Sequence, residues 1–360
     1  MTGILSMPSV SAILIVRNEA ARLARCLESV SAHVDEIVVM DTGSIDDTVM
    51  IAGRFGCRIG HFAWNDDFSA ARNAALSLSR TAWNFVIDAD EWLIDPAPLR
   101  KAVRHAPDCM GLVCVRSDFV LEGLPTHADC WIPRLLPAAV RYQGRIHEHP
   151  ASDLLHFRTQ IVLGHDGYLE HPLNAHKKER NLPLLQAALA ASPANPYLHY
   201  QIGKEFEVRD NFGQAAEHYA QALPVTGGYP PYTADLVCRL LFCLKKLGRF
   251  DQAIPLAETW QSHLANSADF LFVLGDLLLD YAITVPADAP AILPAIEAAW
   301  LRCLKLGTVR HHENSIPARG SFLASYNLSV FYAHTGQPEK ASLYAEMAQK
   351  QRQQMHPGTA

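Results

Sequence analysis

Asn84-Phe85-Val86-Ile87-Asp88-Ala89-Asp90-Glu91-Trp92 reads as a short buried strand that runs straight into acid. Apolar residues, Val86 and Ile87 among them, give the strand; Asp88, Asp90 and Glu91 then place three carboxylates within four positions. In open α/β sheets, ligands collect outside the carboxyl ends of the strands. Acidic side chains crowded there repel one another unless a cation neutralises them. Asp88 and Asp90 stand two apart, so one turn can aim both at a hard divalent ion. Such an ion keeps waters and takes further ligands from substrate phosphates. A metal–diphosphate site is therefore one reading, and a solvated acidic turn is the other. The neighbouring segments discriminate between them.

Bulk properties narrow the class. A chain of 360 residues suggests two domains, or a large one with an appendage, and 49% hydrophobic with 19% charged residues is enough to build real cores. The formal charge of −6 argues against a broad nucleic-acid footprint, which needs a basic face. Eight cysteines occur without a Cys-x-x-Cys pair, so reduced, mostly buried thiols are expected. The first residues lack a basic signal region and are interrupted by Pro8. No apolar run approaches the ~18–20 residues of a transmembrane segment. The expectation is a cytoplasmic protein that meets any lipid-linked substrate peripherally, at the inner membrane surface.

Two rhythms divide the chain. In residues 1–172, short strands at Ser11–Val16, Glu36–Met40, Cys57–His61 and Asn84–Asp88 alternate with helices at Arg22–Val30, Asp46–Phe55 and Phe68–Ser79. That order predicts a doubly wound α/β sheet with right-handed crossovers. Gly111–Phe119, Trp131–Leu135 and Gln160–Gly164 read as further strands. Residues 173–194 form a connecting helix or linker, and residues 195–360 are almost wholly helical. Ile202, Gly203, Phe206, Phe212, Ala215, Tyr219 and Ala222 fall on the small and aromatic positions of a tetratricopeptide helix pair. Leu240, Leu244, Gly248, Phe250 and Ala253 repeat the scheme, as do Leu328, Tyr332, Gly336 and Ala341. A weaker copy at Leu274-Gly275 is stretched by the segment Pro286–Pro294. A generic helical bundle is the alternative.

The other strand ends carry their own chemistry. Strand one runs into Arg17-Asn18-Glu19 and strand two into Asp41-Thr42-Gly43-Ser44, which should open on the same edge as Asp88. Asp41 is placed to accept hydrogen bonds from a base or ribose hydroxyl, and Gly43 permits a tight turn that brings Ser44 to a ligand. An Asx turn and helix cap is the rival account of Asp41 and Ser44, with Asp46 or Asp47 as alternative caps. Asp67 or Ser69 caps the next helix. Arg72 and Asn73, one turn in, can reach a nucleobase or diphosphate, since the planar guanidinium suits phosphate. A structural salt bridge to a nearby aspartate is the competing role for Arg72.

Val16-Arg17-Asn18-Glu19, Asp41-Thr42-Gly43-Ser44, Asp67-Phe68-Ser69-Ala70-Ala71-Arg72-Asn73 and Asp88-Ala89-Asp90-Glu91, in that order, resemble the inverting nucleotide-sugar glycosyltransferases of family 2, which have the GT-A fold. With Gly144-Arg145-Ile146-His147-Glu148 and His165-Asp166-Gly167-Tyr168, the chain resembles more closely the bacterial branch with C-terminal tetratricopeptide repeats. The sublancin-type peptide S-glycosyltransferase belongs to that branch. The resemblance implies a GT-A (Rossmann-like) α/β domain at 1–172 and a tetratricopeptide-like domain at 195–360. It makes Asp88 and Asp90 the metal motif for Mn²⁺ or Mg²⁺, with His165 or His147 completing the shell. Arg17, Asn18, Glu19, Asp41, Ser44, Arg72, Asn73 and Asp88 fall to the donor, a nucleotide-diphosphate sugar and a UDP-sugar above all. Glu148 is the acceptor-side carboxylate, and Glu91 is a neighbour easily mistaken for it.

The reaction so implied is one displacement. A divalent cation on Asp88 and Asp90 stabilises the leaving diphosphate, with Arg72 or Arg145 adding positive charge, while a carboxylate takes the acceptor's proton. The acceptor is a hydroxyl or thiol on a peptide, a protein or a cell-envelope saccharide. Repeats often hold peptides in a concave groove and also mediate self-association into homo-oligomers. The alternative is a non-catalytic scaffold that senses a nucleotide sugar and binds partners through its repeats.

Overall fold

Val10–Val16 forms β1, the strand around which the first part of the chain is layered. Successive side chains of a strand point to opposite faces. Val10, Ala12, Leu14 and Val16 accordingly enter one core cluster, while Ile13 and Ile15 enter another. The description rests on a computed structural model and covers residues 8–104, 107–121, 124–166, 175–223, 229–308 and 315–355. On either side of β1 run β2 (Glu36–Asp41) and β4 (Trp83–Val86), both parallel to it, and β3 (Arg58–His61) lies parallel beyond β2. Helices α1 (Leu23–Ser31), α2 (Thr48–Arg54) and α4 (Ala97–Ala102) pack their apolar residues into the first cluster. Helix α3 (Phe68–Leu78) packs Ala75 and Leu76 into the second. The result is three layers with a buried sheet.

Among the described residues eight strands make one sheet in the order β3-β2-β1-β4-β7-β6-β10-β5. The added strands are β5 (Glu91–Leu93), β6 (Met110–Leu121), β7 (Leu124–Pro137) and β10 (His156–His165). The expected doubly wound sheet holds for β1 to β4 only. Beyond them, β7 is antiparallel to β4, and β5 antiparallel to β10. Two residues separate β6 from β7, too few for the crossover that parallel strands need. Strand β5 and the hairpin of β8 (Tyr142–Gln143) and β9 (His149–Pro150) were not expected, because two or three residues show no periodicity. Strand β4 stops at Val86 rather than running to Asp88: Ile87 N–H still bonds Ile13 O, and then the chain turns.

The chain divides into two compact units, Met1–Pro125 with Cys130–Leu184, and Thr126–Asp129 with Leu185–Ala360. The division falls within α5 (Ala175–Ala191). The second unit carries consecutive helix pairs: α6 (Pro196–Glu207) with α7 (Phe212–Ala222), α8 (Thr233–Lys246) with α9 (Phe250–Gln261), α10 (Ala268–Thr284) with α11 (Ala289–Leu306), and α12 (Phe322–His334) with α13 (Pro338–Met355). The side-chain carbonyl of Asn195, of Asn211 and the hydroxyl of Ser267 accept backbone N–H bonds at the starts of α6, α7 and α10. Pro286 lies in the turn before α11 and Pro294 within it, so the stretched repeat still closes into a helix pair. No described helix is long and apolar enough to cross a membrane.

Each of two pairs closes on a glycine. A Cβ on Gly203 would stand 2.5 Å from the Tyr219 ring, and one on Gly275 2.5 Å from the Trp300 indole. Both aromatics are fully buried, so neither can step aside. Gly203→Ala and Gly275→Ala are each expected to destabilise the protein by about 1–3 kcal/mol through overpacking. Urea unfolding checks this; an unchanged midpoint in both variants would show that the helices have room to spare.

Candidate active site

The acidic turn is closed from both ends. Glu91 N–H donates to Asp88 O at 3.0 Å, and Asp88 N–H donates to Glu91 Oε2 at 2.8 Å. The Cys26 thiol, from α1, donates to the Asp88 carbonyl at 3.4 Å. Glu91 is thus part of the frame, which explains a carboxylate only 3% exposed. Burial dominates its titration and raises it to about 7, against the pull of Arg134 downward.

Two arginines neutralise the turn. Arg134 Nη2 donates to Asp88 Oδ2 at 2.7 Å and to Glu91 Oε1 at 3.2 Å. Arg72 Nη2 donates to Asp88 Oδ1 at 2.9 Å, and its Nε donates to Glu148 Oε1 at 2.6 Å. Charges therefore alternate along one line, Glu148, Arg72, Asp88 and Arg134, with Glu91 at its end becoming a full anion only as pH rises through about 7. Burial alone would raise the Asp88 carboxyl, yet Arg134 and Arg72 outweigh it and hold the group well below the usual carboxylate range. Burial would likewise lower the Arg72 guanidinium, but Asp88 and Glu148 keep it charged. Arg72 Nη1 and Arg134 Nε are buried and have no protein acceptor.

Asp90, 7% exposed, points elsewhere. Its Oδ2 lies 3.5 Å from His165 Nε2, and the Ser117 hydroxyl sits 2.9 Å from His165 Nδ1. The register sets this up: β10 pairs His165 with Glu91 of β5, and with Ser117 of β6. A Cβ on Gly164 would meet Trp92 at 2.4 Å, so the strands approach there only with glycine. Asp166 is tied to α1 by Arg25 at 2.8 Å, which anchors the end of β10. The Asp90 oxygen is the kind of ligand Mn²⁺ and Mg²⁺ take, with further ligands drawn from water and phosphate, while the imidazole is a donor better suited to a transition ion than to Mg²⁺. Among the described residues no set of three or more His, Cys, Asp or Glu converges as a complete metal shell.

The loops after β1 and β2 lace together. Asn18 N–H donates to Ser44 Oγ at 3.0 Å, and Ile45 N–H donates to Asn18 Oδ1 at 2.8 Å. Glu19 N–H donates to Thr48 Oγ1 at 2.8 Å, and Ala20 N–H to Asp46 Oδ2 at 3.1 Å. Asn18 holds φ +57° to make these contacts. Asp41 accepts from Ser44 N–H at 3.0 Å and from Gly43 N–H at 3.2 Å, across a Gly43 at φ +106°. Burial pushes Asp41 up, but the bonds from Ser44 and Gly43, with His61 3.5 Å away, hold it below its ordinary value. Arg17 stands exposed at the end of β1.

The Asp67 side chain caps α3 by accepting from Ala70 N–H at 3.0 Å. One turn on, Asn73 bonds the backbone of Tyr142 in both directions: its Nδ2 donates to Tyr142 O at 2.9 Å, and Tyr142 N–H donates to its Oδ1 at 2.8 Å. Tyr142 opens the β8–β9 hairpin, whose tip carries His147 and Glu148. His147 is held there at φ +52°.

The structure thus brings Arg72, Asp88 and Glu148 into one cluster and Asp90 with His165 into another at the same turn; Asp88, expected as a metal ligand beside Asp90, instead has both carboxylate oxygens bonded by arginines. Asn18 and Ser44 bond each other. Gly167 and Tyr168, part of the sequence motif at His165, lie outside the described residues. Two contributors escaped the sequence reading. Arg134 is a lone cation in the apolar run Trp131-Ile132-Pro133-Arg134-Leu135-Leu136, and that contrast was the available signal. Ser117 gave none.

A family model for glycosyl transferase family 2 matches residues 11–139. A TPR repeat-containing protein of Synechococcus elongatus is 32% identical over 284 residues, which are 75% of this chain and 69% of that protein. The SPbeta prophage-derived glycosyltransferase SunS of Bacillus subtilis is 29% identical over 225 residues, 60% of this chain; the match spans about half, 53%, of that relative. Among solved structures, glucosyl-3-phosphoglycerate synthase from Mycobacterium tuberculosis, in complex with Mn²⁺, uridine-diphosphate and glucosyl-3-phosphoglycerate, aligns at 25% identity and TM-score 0.27. The alignment covers 31% of this chain and 44% of that one.

Two outcomes follow from the alternating charges. Arg134→Met strips a buried partner from Asp88 and Glu91 and is expected to cost about 3–5 kcal/mol in urea unfolding. A loss under ~1 kcal/mol would show the guanidinium to be dispensable. Glu91 has a folded value of about 7 above its ordinary 4.5, so its contribution is complete below pH 4.5 and is lost as pH rises through 7. Glu91→Gln cannot titrate. Its stability relative to the parent should therefore improve between pH 5 and 8, by on the order of 1–3 kcal/mol; a pH-independent difference would contradict the raised carboxyl.

Proposed function

Because the chain belongs to glycosyl transferase family 2 and joins its α/β unit to tetratricopeptide-like repeats, we propose that it is a metal-dependent inverting glycosyltransferase. The donor is a nucleoside-diphosphate sugar, a UDP-sugar first, and the acceptor is a hydroxyl or thiol on a peptide, protein or saccharide. Catalysis belongs to about residues 1–172, and the repeats from about residue 195 serve acceptor recognition. The protein works in the cytoplasm. The observation that carries the reading is the pairing of Asp90 Oδ2 with His165 Nε2 at 3.5 Å, on the same turn that holds Asp88 against Arg72.

Asp41, locked by two backbone N–H groups, presents a rigid acceptor for a base or ribose hydroxyl. Asp90 and His165 would hold Mn²⁺ or Mg²⁺, and Ser117, bonded to the far ring nitrogen, orients the imidazole. When bound, that cation supplies positive charge against the leaving diphosphate. Arg72 Nη1 and Arg134 Nε lack a protein acceptor but are shielded from solvent, so the two guanidiniums act here through their charge rather than through free N–H groups. Glu148, fixed in orientation by Arg72 Nε, takes the proton of the attacking acceptor group. A single displacement inverts the anomeric carbon.

Titration of a panel of nucleotide sugars with and without Mn²⁺ tests the donor site. Asp90→Asn is expected to abolish the metal-dependent part of binding, and Glu148→Gln to lower turnover by ~10²-fold or more at nearly constant donor affinity. Normal metal-dependent binding in Asp90→Asn, or normal turnover in Glu148→Gln, would remove the corresponding assignment.

A further inference from the structure

The hairpin that carries Glu148 has little to hold it in place on its own. Strands β8 and β9 are two residues each, and between them Gly144 at φ +94° and His147 at φ +52° bend the tip sharply. An isolated two-stranded hairpin is marginal even when longer. Apart from the burial of the Tyr142 and Ile146 side chains, its position comes from α3, which grips it at three points. Phe68 N–H, one of the donors a helix leaves unused at its first turn, donates to Arg145 O at 2.9 Å. Arg72, four residues on, holds Glu148 at 2.6 Å. Asn73 holds both backbone groups of Tyr142, and the Arg72 guanidinium lies over the Tyr142 ring, 5.5 Å from its centre.

Asn73 stands where a further strand would. Its amide offers Tyr142 the donor and acceptor that a neighbouring peptide would offer, at distances normal for a sheet. Both ends of that amide are engaged, which moves Asn73 away from the nucleobase or diphosphate contact read from sequence. We propose that Asn73 is a positioning residue for transfer: it sets the base of the β8–β9 hairpin so that Glu148 meets Arg72 beside Asp88. The inference rests on the reading of Glu148 as the base. Displacing a reacting group by about 1 Å costs up to ~10²-fold in rate, so a lost pair of hydrogen bonds at the hairpin's root should register in kcat.

The test uses the full chain with Mn²⁺ and UDP-glucose, UDP-galactose and UDP-N-acetylglucosamine. Release of UDP to water as acceptor is measured for whichever sugar turns over fastest. Asn73→Ala is expected to lower kcat ~10–100-fold while the Kd for UDP stays within about twofold. Asn73→Asp, nearly isosteric, keeps the acceptor for Tyr142 N–H but sets a carboxylate oxygen against Tyr142 O; it should show the same split and guards against a misfolded alanine variant. The deciding measurement is the pair with Glu148→Gln. Residues that act as one unit are non-additive, so Asn73→Ala added to Glu148→Gln should cost no more than about a further twofold. Losses that multiply, or parental kcat in both Asn73 variants, would overturn the positioning role while Glu148 stands. Parental turnover in Glu148→Gln alone would overturn the base itself and the inference with it, a result distinct from the first.

Discussion

Three carboxylates stay packed around one turn because two guanidiniums stand between them. Separately, Glu148, Asp88 and Glu91 would each resist burial as anions. Alternated with Arg72 and Arg134, they form a line in which each interior charge touches two of opposite sign once Glu91 ionises. Removing one member would leave a buried charge unmatched, which is why such networks are costly to break even when their net gain is small. The line also spans four elements, α3, β5, β7 and the β8–β9 hairpin, and so holds the ends of the site together.

Around that line the fold prepares rather than improvises. Asp41 is held by the backbone of its own turn, Asn18 and Ser44 lock two loops to each other, and Glu91 spends its carboxylate closing the acidic turn. These bonds fix the loop ends to one another, and dipoles fixed in this way do not have to reorganise. The pairing of Asp90 with His165 follows the same pattern. It depends on β5 and β10 lying antiparallel, an arrangement the parallel half of the sheet would not provide.

The helical unit obeys a simpler rule. Gly203 and Gly275 let an aromatic from the partner helix close to contact distance, and Tyr219 and Trp300 fill the space so made. Polar groups then cross from one pair to the next: Tyr200 and Arg239 both bond Asp235, while Arg239 also reaches Glu207. Stacked pairs of this kind bury a continuous core that no single pair could.

Local pattern in the sequence was enough for the acidic strand end, the order of the loop motifs and the helix pairs, because period, turn residues and small-residue spacing are written within a few positions of one another. Asp88 and Asp90 stood out in that pattern, while His165 and Glu148 came forward only through the family resemblance. What each one touches could not be read there. Arg134 meets Asp88 across 46 positions, Asn73 meets Tyr142 across 69, and Arg72 meets Glu148 across 76. Those meetings depend on strand register, on which strands run antiparallel, and on where a two-residue hairpin is tied down. Asn73 reads as a ligand contact in sequence and is a backbone clamp in the fold, since a side-chain amide is chemically able to do either and only the position of Tyr142 decides. Partners of buried charges and amides are chosen by tertiary geometry, because the sheet brings together residues that the sequence keeps far apart.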